Sequence, residues 1–270
     1  MRRIRRRPSI PIAFICLVTA FGVGCGGDDS GDSSTVDVTA TDFAYDMPDE
    51  VSGGLVTMNL VNEGAEPHEY ALVRSDSQHS AEELTAAIGE AVKRGGEPPK
   101  WVEDVGSYGV QTAGVSSSVT REFEPGNYAF VCFIPGPGKA ENHLDLGMRL
   151  AFTVSGDSGA DPPDSSGVVT ATKDGFEVPP VPAGEPTLEV RNDGADPFGF
   201  ALVRFNPGRD VADVERWFES GLKGEAPAAL FGGADFAQDN SVFFSTEFES
   251  GATYELVNPE GGARQKFTVD

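Results

Sequence analysis

Cysteine and histidine are scarce in this chain, three of each in 270. Two of the cysteines, Cys16 and Cys25, fall in an amino-terminal segment with the marks of an export signal. The mature domains therefore keep Cys132 alone, with no partner for an internal disulfide. A single thiol in an exported protein is an intermolecular bridge, a free reactive group, a metal ligand or an inert buried strand residue. Basic residues are also few. Without the five arginines of the leader, 15 Lys and Arg face 43 Asp and Glu, a net charge of −28. Such a field repels nucleic acid and anionic lipid headgroups, and it suits a basic partner protein or plain solubility. After Cys25 no apolar run is long enough to cross a membrane. There is no Gly-x-Ser-x-Gly elbow, no His-Glu-x-x-His zinc pair and no glycine-rich phosphate loop followed by Lys-Ser/Thr, so an enzyme is not expected.

The leader itself is simple. Arg2, Arg3, Arg5, Arg6 and Arg7 precede an apolar run from Ile10 to Val23, too short to span a bilayer comfortably and followed by small residues. The segment Gly22-Val23-Gly24-Cys25 resembles a bacterial lipobox, in which the cysteine becomes the lipid-modified first residue of the mature protein. Gly22 stands where that pattern has leucine, which leaves ordinary cleavage and secretion as the other outcome. Lipid on Cys25 would tether the protein to the outer side of the cytoplasmic membrane.

Two stretches rich in Gly, Ser, Asp and Pro divide the remainder, because neither can bury a core. The expected division is a leader over 1–25, a disordered stalk over 26–35, a domain over 36–154, a linker over 155–166 and a second domain over 167–270. An internal repeat supports two related halves. Val38-Thr-Ala-Thr41 recurs as Val169-Thr-Ala-Thr172, and Asn62-Glu-Gly64-Ala-Glu-Pro67-His68 recurs as Asn192-Asp-Gly194-Ala-Asp-Pro197-Phe198. A period near 130 residues present twice indicates duplicated domains rather than solenoid units. Alternating apolar and polar residues over Val56–Asn62, Thr187–Arg191 and Phe123–Phe130 predict short strands in an antiparallel all-β sandwich. One helix interrupts each half. Ser80-Ala-Glu-Glu83 is a capping box opening Leu84 to Lys93, and Asp210 opens Val211 to Leu222, with Trp217, Phe218 and Leu222 packing on the sheet.

The chemistry concentrates in Tyr128-Ala-Phe-Val-Cys132-Phe-Ile-Pro135-Gly, followed by His143 and Gly147-Met148, some sixty residues after Pro67-His68. One thiolate, two imidazoles and a weak thioether form the donor set of a mononuclear blue-copper centre. With the Asn-x-Gly lead into Pro67-His68 and a closing Phe-Thr-Val strand at 152–154, residues 36–154 resemble a cupredoxin. The resemblance implies two tandem cupredoxin-like Greek-key β-sandwiches, each with a short helical insertion. It also implies one type 1 copper ion held by His68, Cys132 and His143, with Met148 as axial sulfur. Met148 as core filler is the competing reading. Glu66 and Glu69 are expected to be surface charges, and His79 a solvent-facing loop residue. Ten residues separate Cys132 from His143, a longer ligand loop than in the small electron-transfer members, so the insert from Pro135 to Asn142 must arch away and return.

The second half lacks this set. Phe198 stands where His68 does, Asn258 where Cys132 does, and no histidine or cysteine follows His143. The chain also lacks the His-x-His pairs that the multicopper oxidases of this family use for further copper ions, and it lacks the second cysteine of a dinuclear purple centre. The resemblance therefore implies single-electron transfer with a redox partner protein at the cell envelope. A copper carrier, or a metal-free adhesion or scaffold module, is the alternative.

Overall fold

The computed structural model describes residues 34–136, 141–194, 198–236, 241–259 and 262–270. The expected leader and Cys25 lie outside the described residues, while Ser34 and Thr35 already belong to the first strand. The first half contains β1 (Ser34–Thr41), β2 (Ala44–Asp46), β3 (Glu50–Ser52), β4 (Gly54–Asn62), β5 (His68–Ser75), α1 (Ala81–Lys93), β6 (Val102–Gln111), β7 (Ser116–Phe123), β8 (Gly126–Val131) and β9 (Arg149–Ser155). The second half contains β10 (Gly167–Thr172), β11 (Gly175–Glu177), β12 (Thr187–Asn192), β13 (Phe198–Phe205), α2 (Val211–Glu219), β14 (Ala228–Phe236), β15 (Ser241–Ser245), β16 (Thr253–Val257) and β17 (Arg264–Thr268). No helix among the described residues is long and apolar enough to cross a membrane.

All these strands join two sheets. One has the order β11-β10-β12-β15-β7-β4-β1-β2 and the other β17-β16-β13-β14-β6-β5-β8-β9-β3. The order β2-β1-β4-β7 in the first half is matched by β11-β10-β12-β15 in the second. Both sheets run through the two halves: Phe243, Phe244 and Ser245 pair with Thr120, Val119 and Ser118, and Phe231 pairs with Gln111. Most pairs are antiparallel, as the alternation predicts, but β1 with β4, β10 with β12 and β3 with β9 are parallel. In the first half the reason is a crossing. After the β1–β2 hairpin the chain passes to the other sheet as β3, beside β9, and returns to lie along the free side of β1 in the same direction.

The strands form where the pattern has a period of two. Along β4, Gly54, Val56, Met58, Leu60 and Asn62 face inward while the residues between them are half-exposed. Their side chains meet Leu72, Phe130 and Phe152 from the facing sheet, and the same apolar cluster continues into Val190, Phe200, Phe244 and Tyr254 of the second half. Each buried side chain of this size contributes roughly 1.5–3 kcal/mol by leaving water.

Both helices start at the expected caps. Ser80 with Glu83, and Asp210 with Asp213, each form the reciprocal pair of cap bonds. Helix α1 begins three residues earlier than its apolar pattern suggests, because the cap sits at Ser80 itself. It buries Leu84 and Ile88 against Val73, Val131 and Leu144. Val131 precedes Cys132 and Leu144 follows His143, so this helix braces the backbone on either side of the candidate site. Trp217 is buried, and Phe218 and Leu222 pack partly buried on the core.

Candidate metal centre

Adjacent strands set the first two donors. His68 opens β5 and Cys132 directly follows β8, and the two strands pair through Ala71 and Val131, Leu72 and Phe130, Val73 and Ala129. The chain then leaves the sheet, turns through His143 and re-enters it as β9, where Arg149 pairs with Val131. Cys132 and Met148 thus flank one rung, and the Cys132 N–H donates to the Met148 carbonyl at 3.2 Å. The Met148 N–H donates in turn to the His143 carbonyl at 2.8 Å. Gly147, at φ 112°, makes the reversal between them, a backbone region open to glycine and strained for other residues.

The length of the ligand loop does not separate the donors. The His143 N–H donates to Ile134 O at 2.9 Å, and the Gly136 N–H to Glu141 O at 2.6 Å. These two bonds close the loop at its base, beside His143. At the far end of the turn Asn142 accepts from the Asp145 N–H at 2.8 Å.

Three donor atoms converge. His68 Nδ1 lies 3.2 Å from His143 Nδ1, and Cys132 Sγ lies 3.4 Å from His143 Nδ1. All three ligand atoms are within 4.8 Å of one another, and all three side chains are buried. Met148, fully buried, belongs to the same apolar cluster as Cys132. Two nitrogens 3.2 Å apart can both bond one ion, since half that separation, about 1.6 Å, is less than a metal–nitrogen bond of roughly 2.0 Å. The donor types and spacing therefore fit a mononuclear centre that accepts soft sulfur and imidazole together.

The electrostatics of the pocket favour neutral groups. Burial pushes the Cys132 thiol up to about 12, opposed by the backbone N–H groups of Glu69 and Ile134 that point at the sulfur. The Glu69 N–H stands 3.4 Å from Sγ. Burial, helped by the neighbouring His68, pulls His143 down to about 4. His68 is also lowered by burial, against the pull of Asp42. A cation arriving here meets two neutral imidazoles and a thiol that its own charge can deprotonate.

Several contributors were not evident from the sequence pattern. Glu69 is half-buried rather than a free surface charge: its carboxylate accepts from the Phe133 N–H at 3.2 Å, and its carbonyl accepts from the Tyr45 hydroxyl. Burial raises its carboxyl above the usual range. Phe43 packs edge-on against His143, ring centroids 5.1 Å apart. Asp42 places Oδ1 3.4 Å from His68 Nε2. No local signal marks these three, because each acts across the sheet crossing. His79 lies in a loop, as expected, but is half-buried. It stacks on Trp101 at 3.9 Å and bonds Asp76 at 2.6 Å.

In the second half, Asn258 is buried and closes a short turn, its N–H donating to the Ala263 carbonyl at 2.8 Å. Among the described residues the only cluster of three potential metal donors is that of His68, Cys132 and His143.

No family model and no curated protein matches the chain. Among solved structures it is similar to dithionite-reduced auracyanin from the photosynthetic bacterium Roseiflexus castenholzii, at 22% identity and a TM-score of 0.29, over 46% of this chain and 98% of that one. Auracyanin A, a blue copper protein from Chloroflexus aurantiacus, aligns at 21% identity and a TM-score of 0.30, over 46% of this chain and all of that one (100%). A multicopper oxidase aligns at 13% identity and a TM-score of 0.25, over 87% of this chain and 88% of that one. With scores this low, what the site can do is read from its own side chains.

Proposed function

We propose that the protein is a type 1 copper protein that passes single electrons at the cell envelope, exported and tethered through lipid on Cys25. On this reading the first half is a cupredoxin-like Greek-key sandwich holding one copper ion, and the second half is a duplicated copy without a metal site. The observation that carries the reading is the mutual approach of His68 Nδ1, Cys132 Sγ and His143 Nδ1 inside 4.8 Å in a fully buried pocket.

His68, Cys132 and His143 would hold the ion, with Met148 as the weak fourth donor. When bound, copper supplies a one-electron couple whose two states are both tolerated by imidazole and sulfur. The chain's own residues keep the donors in place through that change. Cys132 gives up its proton on loading, and the Glu69 N–H steadies the resulting sulfur charge. His143 stays neutral because burial holds its affinity for a proton low. Strands β5, β8 and β9 fix three of the four donors to paired backbone, so little has to move when the charge changes. The strongly acidic surface favours a basic redox partner protein.

Absorption and paramagnetic resonance of the copper(II)-loaded protein test this directly. A strong visible thiolate-to-copper band is expected, and it should vanish in Cys132→Ser. Absence of the band in the loaded wild type overturns the reading. Stable copper(I) binding without reversible voltammetry points to a carrier instead.

A further inference from the structure

The β1–β2 turn brings a carboxylate to the back of one imidazole, and we infer that Asp42 is the positioning residue that aims His68 Nδ1 at the metal. The inference rests on the copper reading above for its purpose, but not for its geometry. His68 is fully buried and its Nε2 has no hydrogen-bond partner of good geometry, so this nitrogen is an orphan on the side away from the donor cluster. The Asp42 Oδ1 lies 3.4 Å from it. A buried N–H without an acceptor is costly, and the nearby carboxylate is the group able to take it.

Asp42 is itself held for that task. Its Oδ1 accepts the Ala65 N–H at 2.8 Å and the Glu66 N–H at 3.1 Å, which fixes the carboxylate over the loop leading into His68. Gly64 leaves the space between the two groups open. A Cβ at that position would stand 2.5 Å from His68 Nε2 and 2.6 Å from Asp42 Oδ1. The repeat makes the same point in sequence. The block Val38-Thr-Ala-Thr41-Asp42 corresponds to Val169-Thr-Ala-Thr172-Lys173, so the half that has Phe198 in place of His68 has a lysine, not a carboxylate, at the position of Asp42.

The chemical consequence is a choice of tautomer. With Asp42 taking the Nε2 proton, the lone pair of His68 sits on Nδ1 and faces the cluster. In the metal-free protein that lone pair accepts the Nδ1 proton of His143, 3.2 Å away; to bind a metal ion His143 takes its other neutral tautomer, its proton passing to Nε2, so that both Nδ1 lone pairs face the ion. A carboxylate behind an imidazole also makes the ring a better donor, and loss of such a partner typically weakens metal affinity 10- to 100-fold.

Nitrogen-15 NMR of the metal-free protein reads the tautomer without copper. His68 is expected as the Nε2–H form in wild type and as a mixture in Asp42→Ala, with Asp42→Asn, which keeps an oxygen acceptor, recovering most of the wild-type signal. Gly64→Ala should reproduce the Asp42→Ala signature by placing a methyl group between the partners. Copper(I) affinity by chelator competition should fall 10- to 100-fold in Asp42→Ala and Gly64→Ala, and less in Asp42→Asn. An unchanged tautomer together with unchanged affinity in both Asp42→Ala and Gly64→Ala overturns the inference. Should wild type itself show no thiolate–copper band, the copper reading fails while the tautomer comparison still decides the role of Asp42.

Discussion

His68 and His143, 75 residues apart in the chain, face each other with their Nδ1 atoms 3.2 Å apart. Two neutral imidazoles at that distance share a single proton, and Cys132 carries another on a thiol that burial holds up to about 12. For its sulfur to ligate a metal ion as a thiolate, Cys132 must give up the thiol proton. Between about pH 5 and 9 one proton leaves per ion, so copper affinity should rise about tenfold per pH unit. Chelator competition at a series of pH values measures the slope, and a flat profile would exclude ligation by the Cys132 thiolate.

The same shifts govern the metal-free fold. An unfolded histidine takes a proton near 6.5, whereas buried His143 resists until about 4. Below pH 6.5 the unfolded chain therefore binds more protons than the native one, and stability should fall steadily from 6.5 towards 4. The thiol acts at the other end. Its native value is raised from 9.0 to about 12, so its contribution is complete below pH 9 and is lost as pH rises through 12. Urea midpoints across pH should show both declines, with His143→Gln flattening the acid limb and Cys132→Ser the alkaline one.

Phe43 lies in the left-handed region at φ 67°, in the two-residue connection between paired Thr41 and Ala44. For a bulky side chain this backbone is strained, and its ring sits edge-on to His143. Two opposed effects can be separated by substitution. Phe43→Ala keeps the strain and loses an aromatic contact worth about 0.5–1.5 kcal/mol. Phe43→Gly loses the same contact but relieves about 1 kcal/mol of backbone strain. Denaturant titration should rank the glycine variant above the alanine variant in stability, and the reverse order would mean that the turn is not strained.

The candidate donors were legible because they belong to rare residue types. With three histidines and three cysteines in the chain, Pro67-His68, Cys132 and His143 stand out against a background in which Glu, Asp and Gly do not. The strands were legible wherever one face meets the core, as along β4. What escaped was set by tertiary crossing. Which strands β7 and β6 would pair with at their open sides is not coded in a period of two, so the joining of both sheets at β15 and β14 was invisible. The parallel partnership of β1 with β4 depends on the excursion through β3, which no local pattern reveals. Asp42 looked like one acid among many, since its meaning comes from Gly64 leaving room for it to reach His68.

Asn62 offers a comparison between the two halves. Fully buried, it donates through Nδ2 to the carbonyls of Glu66 and Gln111, both at 2.9 Å, and accepts the Gly64 N–H at 2.9 Å. It thereby ties the loop before His68 to the edge of β6. Asn192 accepts the Gly194 N–H at 2.8 Å in the corresponding place of the second half and is equally buried. Replacing either by alanine leaves buried backbone groups unmet, at a cost of about 1–3 kcal/mol. Only Asn62→Ala also frees the segment that aims His68. Both variants should therefore lose stability in urea, while copper affinity and the thiolate band should change in Asn62→Ala alone. An equal effect of Asn192→Ala on the copper spectrum would show that the second half, reached through the shared sheets, helps to shape the metal centre.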